Sequence, residues 1–153
     1  MASAAGRWVL VQPAELDPQI AALAGRRAGL QRRLRLLEHD PCDPELNAYR
    51  LSGPLQPIVC GLHLDRGYRL AFTTMSAPTA DDRPRVVLLY VGRREAGHRS
   101  KADVWDLLHD IFGIDNPPAG HDKSPCCAEG EPTIEHDVLA DFLRQLRRFN
   151  RGR

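Results

Sequence analysis

Apolar positions recur with two different periods along the chain, and they divide its first third into a strand and helices. The short apolar run at residues 7–12 is typical of a strand, which Pro13 ends. Apolar residues then recur at steps of three, four and seven, which predicts helical structure from residue 17 to residue 38. Gly25 and Gly29 weaken the middle of this stretch. We therefore predict two helices at an angle, over 17–25 and 27–38.

The middle of the chain carries the strongest strand patterns. A weak strand begins at residues 49–51, and the stretch 59–74 alternates apolar and polar positions on either side of Asp65-Arg66-Gly67. That turn leaves two interpretations open, a hairpin of two strands or one bulged ribbon. Residues 86–91, VVLLYV, are apolar on both faces, as expected of a central strand.

The last third of the pattern predicts two more helices separated by a loop. An amphipathic helix is predicted over 101–112, and residues 115–132 are rich in Pro and Gly. A final helix is predicted over 134–149, with Val138, Phe142 and Phe149 on one side. This order predicts an α+β fold in which helices pack on one face of an antiparallel sheet.

Positive charge is concentrated where the predicted strands end, although the formal net charge is only +1. The apolar strand ends in Gly92 and is followed by arginines, and another arginine opens the second strand of the hairpin. If these two strands are neighbours, Arg69 and Arg94 converge on one patch, where guanidinium groups bind phosphate. The other candidates for this patch are Arg50, Arg66, Arg93, His98 and Arg99. The alternative is that these arginines pair with nearby acids and that the histidine lies on the surface.

Four cysteines are present, Cys42, Cys60, Cys126 and Cys127. The start of the chain lacks the pattern of an export signal, so we expect a cytoplasmic protein whose cysteines remain thiols. Cys126 and Cys127 lie near His121 and His136, which are zinc-ligating residue types, but the spacing matches no usual zinc pattern. We expect no metal, no cofactor and no membrane-spanning segment.

Two motifs in this order resemble the RelE/ParE superfamily of bacterial toxins. RGYRLAF followed by VVLLYVGRRE is similar to the family's GYRL-type strand and its apolar strand ending in VGxR, and AYRLSGPL resembles its KLxG strand entry. The resemblance covers residues 7–112. It implies a RelE-like toxin domain over 1–112, a loop over 113–133, and an additional C-terminal helix within 134–153 that packs on the same domain.

The resemblance implies a small endoribonuclease that cuts mRNA in the ribosomal A site and is neutralised by a cognate antitoxin. In such enzymes the ribose 2′-hydroxyl attacks the adjacent phosphate. Position in the motifs assigns Arg69 and Arg94 to charge stabilisation and His98 to proton transfer. His63 replaces a lysine as a possible base, and Trp105 is either a base-stacking residue or part of the core.

Several features depart from the family pattern and keep other functions open. The lysines expected before GYR are absent, and the chain is nearly neutral. The alternatives are a ParE-like protein that inhibits DNA gyrase by binding, and a catalytically inactive toxin-fold protein that only binds a partner. The stripe of the last helix offers a surface for a homodimer.

Overall fold

The computed structural model describes residues 7–23, 25, 27–65, 67–94, 103–115 and 124–152. The elements within these residues are β1 (Val9–Val11), α1 (Asp17–Ala21), α2 (Arg27–His39), β2 (Tyr49–Arg50), β3 (Cys60–His63), β4 (Tyr68–Met75), β5 (Arg85–Arg93), α3 (Val104–Ile111) and α4 (His136–Arg151). Short 3-10 turns lie at Ala14–Leu16, Pro44–Leu46 and Gly53–Leu55. The α+β class predicted from the sequence is confirmed.

The described strands form one mixed sheet in the order β1-β5-β4-β3-β2. Strands β2 to β5 pair antiparallel, whereas β1 pairs parallel to β5. The prediction of a wholly antiparallel sheet was therefore wrong at this edge. The helices between β1 and the later strands provide the long crossover that a parallel pair needs.

Strand β5 lies inside the sheet, between β1 and β4, as its uninterrupted apolar sequence predicted. Residues 86–91 are all buried. The register with β4 shifts between Ala71, which pairs with Tyr90, and Phe72, which pairs with Leu88. The stretch 59–74 forms a hairpin, because β3 ends before the turn and β4 begins after it. Gly67 adopts a left-handed φ of 89° at this turn, which a residue without a Cβ tolerates.

Helix α3 packs closely on the sheet because two glycines leave room for it. A Cβ at Gly61 would lie 2.6 Å from the Trp105 ring, and one at Gly92 would lie 3.1 Å from Val104. Side chains alternate across a strand, and Gly92 pairs with Arg69, so α3 lies on the face of the sheet that carries Arg69.

Helix α4 packs on the core with the stripe predicted for self-association. Phe142 is 1% exposed and its ring lies 4.4 Å from that of Phe112, while Phe149 contacts Tyr90. Of the three stripe residues, Val138 alone is exposed. Most of the stripe therefore packs within the chain, so it does not provide the surface on which the homodimer prediction was based. None of the described helices combines the length and hydropathy needed to cross a membrane.

The cysteines form two disulfides, Cys42–Cys127 and Cys60–Cys126, so the prediction of free thiols was wrong. Cys126 and Cys127 are neighbours, but each reaches a different part of the fold. Sequence spacing does not show that the loop before α4 returns to β2 and β3. Bonded cysteines also cannot serve as zinc ligands as thiolates.

Residues 124–134 form a strap along the β2 edge of the sheet. Its backbone exchanges hydrogen bonds with this edge, including Arg50 N to Ser124 O at 3.0 Å and Cys126 N to Ala48 O at 2.9 Å. Farther along, Thr133 N donates to Pro57 O at 3.1 Å. The predicted loop is therefore structured where it is described, and it covers a strand edge that would otherwise be unpaired.

Candidate active site

Strand pairing brings Arg69 and Arg94 to one face of the sheet. Arg69 pairs with His63 on one side and with Gly92 on the other. Arg94 follows Gly92 by two positions, and its backbone N–H donates to Gly67 O, so the pairing continues past the end of β5. The two arginines are diagonal neighbours on adjacent strands, a spacing that long side chains bridge. The sequence predicted this convergence.

Tyr49 lies on the same face, in strand β2, although the sequence analysis gave it no functional role. It pairs with Gly61, whose missing side chain leaves space for its ring. The phenol ring packs edge-on against the Trp105 indole, with centroids 6.2 Å apart, and against the His63 imidazole, with centroids 5.8 Å apart. Because side chains alternate along a strand, Tyr49 and its neighbour Arg50 lie on opposite faces of the sheet. This alternation is the sequence signal that could have placed Tyr49.

Burial and nearby positive charge act in opposite directions on the pKa of the Tyr49 phenol. Burial raises the pKa of the Tyr49 phenol above its ordinary value of 10.0. The positive charges of Arg69 and Arg94 oppose this shift in pKa. The phenol is therefore protonated at neutral pH and lies among cationic and donor groups.

Arg94 is held by an acid that the sequence analysis did not assign. Its Nη1 lies 2.6 Å from Oδ2 of Asp103, whose side chain is 2% exposed, and the Arg94 side chain is 33% exposed. The same carboxylate oxygen caps α3 by accepting a hydrogen bond from Trp105 N at 3.1 Å. An aspartate just before an amphipathic helix is the signal that predicts such a cap. The ion pair fixes Arg94 but cancels its net charge.

Arg69 forms no ion pair within the part of the chain that the structure describes. Its Nη1 donates to the backbone oxygen of Tyr68 at 3.0 Å, and the ion pairs found among the described residues involve other arginines. The side chain is half-buried. Arg69 is thus better suited than Arg94 to attract an anion.

His63 ends β3 with an exposed side chain, beside Arg69 and against the ring of Tyr49. Its backbone oxygen accepts a hydrogen bond from Nε of Arg33 at 3.3 Å, which ties this strand end to α2. An imidazole titrates near neutral pH, so a histidine placed here can exchange a proton with a bound molecule.

Two other candidates are interior side chains. Arg50 is 8% exposed, and its guanidinium donates to the backbone oxygens of Gln56, at 2.8 Å, and Gly130. Trp105 is 5% exposed and rests on Gly61. Because neither side chain faces solvent, we remove both from the RNA-binding set and assign them to the structure of the site.

The remaining candidates divide by position. Arg93 is exposed but pairs with Tyr68, so alternation turns it to the face opposite Arg69. His98, Arg66 and Arg99 lie outside the described residues, and their roles stay predictions. Among the residues described, no group of His, Cys, Asp or Glu is arranged to hold a metal ion.

A cleft of about 730 Å³ opens beside this face. Tyr49 and His63 form the wall nearest the arginines, and the strap with its disulfide partner Cys42 forms much of the rest. The site therefore joins a cationic patch to a concave space through two shared side chains. The chain matches no protein-family model, no curated protein and no solved structure with which it was compared.

Proposed function

We propose that this chain is a RelE-like toxin of a toxin-antitoxin module, an endoribonuclease that cleaves mRNA by attack of a ribose 2′-hydroxyl on the adjacent phosphate. One observation carries the proposal: strand pairing places Arg69 beside the exposed imidazole of His63 and diagonal to Arg94 on one face of the sheet. The order of strand, two helices and antiparallel strands also agrees with the resemblance stated above.

These residue types suit phosphodiester transesterification without further groups. In the proposed reaction His63 takes the proton of the 2′-hydroxyl as the 2′-oxygen bonds to phosphorus. The bond from phosphorus to the 5′-oxygen breaks, and that oxygen takes a proton from solvent or from a protonated side chain. The products are a 2′,3′-cyclic phosphate and a 5′-hydroxyl. Arg69 stabilises the charge that develops on the phosphoryl oxygens, while the buried Tyr49 supports the His63 imidazole through the packing of its ring.

The two arginines have unequal roles in this proposal. Arg69 supplies net positive charge, whereas the ion pair of Arg94 with Asp103 is neutral as a unit. Arg94 can still direct its other N–H donors at a phosphate, since a guanidinium carries five. We therefore expect Arg69 to dominate the electrostatic attraction and Arg94 to contribute orientation.

Cleavage of defined RNA tests the chemistry. Purified protein is incubated with an oligoribonucleotide and with mRNA on ribosomes, and the product ends are identified. We expect cuts on the ribosome that leave cyclic phosphate. Arg69→Ala should lower the rate about 100- to 1,000-fold, and His63→Gln about 100- to 10,000-fold. Arg93→Ala, which removes an exposed arginine from the opposite face, is the matched control and should retain the rate.

Failure of the chemistry has a clear signature. If His63→Gln and Arg69→Ala cleave as fast as the Arg93→Ala control, these residues do not form an active site. Cleavage of free RNA as fast as ribosome-bound mRNA would leave the chemistry intact and exclude ribosome dependence.

One observation favours a second candidate, a toxin-fold protein that binds its target without nuclease chemistry, as a ParE-like gyrase inhibitor does. A buried carboxylate neutralises Arg94, and α3 covers part of the face. Growth arrest on induction, with intact mRNA and an unchanged effect in His63→Gln, would favour this candidate.

The proposed partners and location follow from the toxin assignment. They are a cognate antitoxin, the ribosome with mRNA, and the cytoplasm. Disulfides persist mainly in oxidising compartments, so the two bridges are an argument against a reducing cytoplasm. Alkylation of protein trapped in intact cells decides this point: modified cysteines indicate a reducing location, and unmodified ones indicate an oxidising location.

A further inference from the structure

The cleft beside the arginines has the size and lining of a ligand site. Its volume of about 730 Å³ falls within the range of small-molecule pockets, which is roughly 300–1,000 Å³. The rings of Pro41, Pro44 and Pro125 give it apolar surfaces. Asp43, in the same lining, supplies a negatively charged acceptor.

We propose that this cleft binds the nucleobase of the nucleotide that donates the 2′-hydroxyl, and that Asp43 selects bases carrying an amino group over uracil. This inference rests on the proposed nuclease function. His63 lines the cleft and is also the proposed base for that hydroxyl. The sugar at His63 and the base attached to it therefore belong to the same nucleotide, and this cleft is a concave space beside His63 that can take the base.

The selectivity follows from the chemistry of a carboxylate, which accepts hydrogen bonds and does not donate them. Adenine and cytosine present an exocyclic amino donor at the position where uracil has the acceptor O4, and guanine carries its amino group at C2 instead. Asp43 is held in place because its Oδ1 accepts a hydrogen bond from Glu45 N at 2.9 Å, where it caps the 3-10 turn Pro44–Leu46. A fixed carboxylate attracts an amino group and repels a carbonyl.

The strap positions the other side of the cleft. The Cys42–Cys127 disulfide joins the loop that carries Asp43 to the strap, and both cysteines line the cleft. Ala128 is exposed on the strap and also lines the cleft. The cleft is therefore a preformed space between covalently joined segments, which lowers the entropic cost of ordering it around a ligand.

Binding of mononucleotides tests the proposal without requiring turnover. Cytidine 3′-monophosphate and uridine 3′-monophosphate are titrated into the oxidised full chain by calorimetry, since the two differ mainly at the edge that Asp43 would contact. We expect cytidine to bind about tenfold tighter than uridine. Asp43→Asn, which keeps a capping side chain and gains a donor, should abolish or reverse this preference.

Two further variants keep the test specific. Ala128→Trp adds a large side chain at an exposed position of the lining and should weaken both nucleotides. Asp81→Asn neutralises an exposed acid that is not part of the lining and should change neither affinity. Equal binding of the two nucleotides, no binding of either, or unchanged binding in Ala128→Trp would each overturn the proposal.

The outcome is separable from that of the nuclease assay. Base-selective binding that depends on Asp43, in a protein that cleaves no RNA, would support the cleft and reject the nuclease. Cleavage that depends on His63, with a base preference unchanged by Asp43→Asn, would support the nuclease and reject the cleft.

Discussion

The two disulfides should contribute a large part of the free energy of unfolding. Removing the first bridge should cost less than removing the second. Cys42 and Cys127 are 85 residues apart, and Cys60 and Cys126 are 66 apart. The second bridge lies inside the first, so the loops share most of their residues. The perturbation is removal of one bridge or both by paired Cys→Ala substitutions, which avoid burying new hydroxyl groups.

Chain entropy sets the magnitude. With neither bridge present, forming the 85-residue link stabilises the fold by about 4.6 kcal/mol at 25 °C. Once either bridge exists, the other closes a loop of only about 21 residues, made of residues 42–60 and 126–127, which contributes about 3.3 kcal/mol. Losing either single bridge should therefore cost about 3 kcal/mol, and losing both about 7–8 kcal/mol. A domain of this size has about 5–15 kcal/mol in total.

Calorimetric melting of the oxidised protein and the three variants measures these differences. For a chain of this length we expect each single-bridge variant to melt roughly 6–13 °C lower, and the variant without bridges to be marginal or unfolded. Equal costs for the first and second removal would refute the nested-loop reasoning. An unchanged melting temperature in reductant, with all four cysteines open to alkylation in the folded protein, would refute the bridges themselves.

Three further substitutions test the packing and charges of the site. Gly61→Ala should destabilise the fold by about 1–3 kcal/mol because its methyl group overlaps the indole, whereas Gly29→Ala, with no atom within 4 Å, should be neutral or stabilising in urea denaturation. Arg94→Ala removes the ion-pair partner of a buried carboxylate and should cost about 1–3 kcal/mol, while the exposed Arg93→Ala should cost under about 0.5 kcal/mol in the same assay. Because the pKa of the Tyr49 phenol is raised above 10.0 in the folded protein, the unfolded chain loses this proton first, and the free energy of unfolding falls as pH rises above 10.0. The free energy of unfolding of Tyr49→Phe should therefore fall less steeply with pH in this range than that of the native chain. Parallel slopes would contradict this.

The sequence predicted the elements well because their patterns are local. The apolar run at 86–91, the hairpin turn and both C-terminal helices each depend on a few neighbouring residues. The parallel edge formed by β1 was not predictable in this way, since the pairing of Val9 with Arg85 joins distant segments. The prediction of free thiols was wrong because it was based on the assumed compartment and not on the spacing of the cysteines.

The placement of the candidate residues was predicted in part. The arginines converged because Arg69 and Arg94 follow from strand order, which local pattern determines. Tyr49 was missed because its importance arises from Gly61 and from a helix more than 50 residues away. Asp103 was missed because its position before α3 predicts only a helix cap. Its second role, as the ion-pair partner of Arg94, appears only in three dimensions.

Helix α3 connects the stability of the fold to the geometry of the site. It approaches the sheet closely only because Gly61 and Gly92 lack side chains. That approach delivers Trp105 to the Tyr49 ring and Asp103 to Arg94. A substitution that lifts the helix would therefore break the ion pair with Arg94 and the packing on the Tyr49 ring together. It follows that loss of stability and loss of site geometry should be correlated among variants under α3, whereas Arg69 and His63, which α3 does not hold by any ion pair described, should change activity with little change in stability.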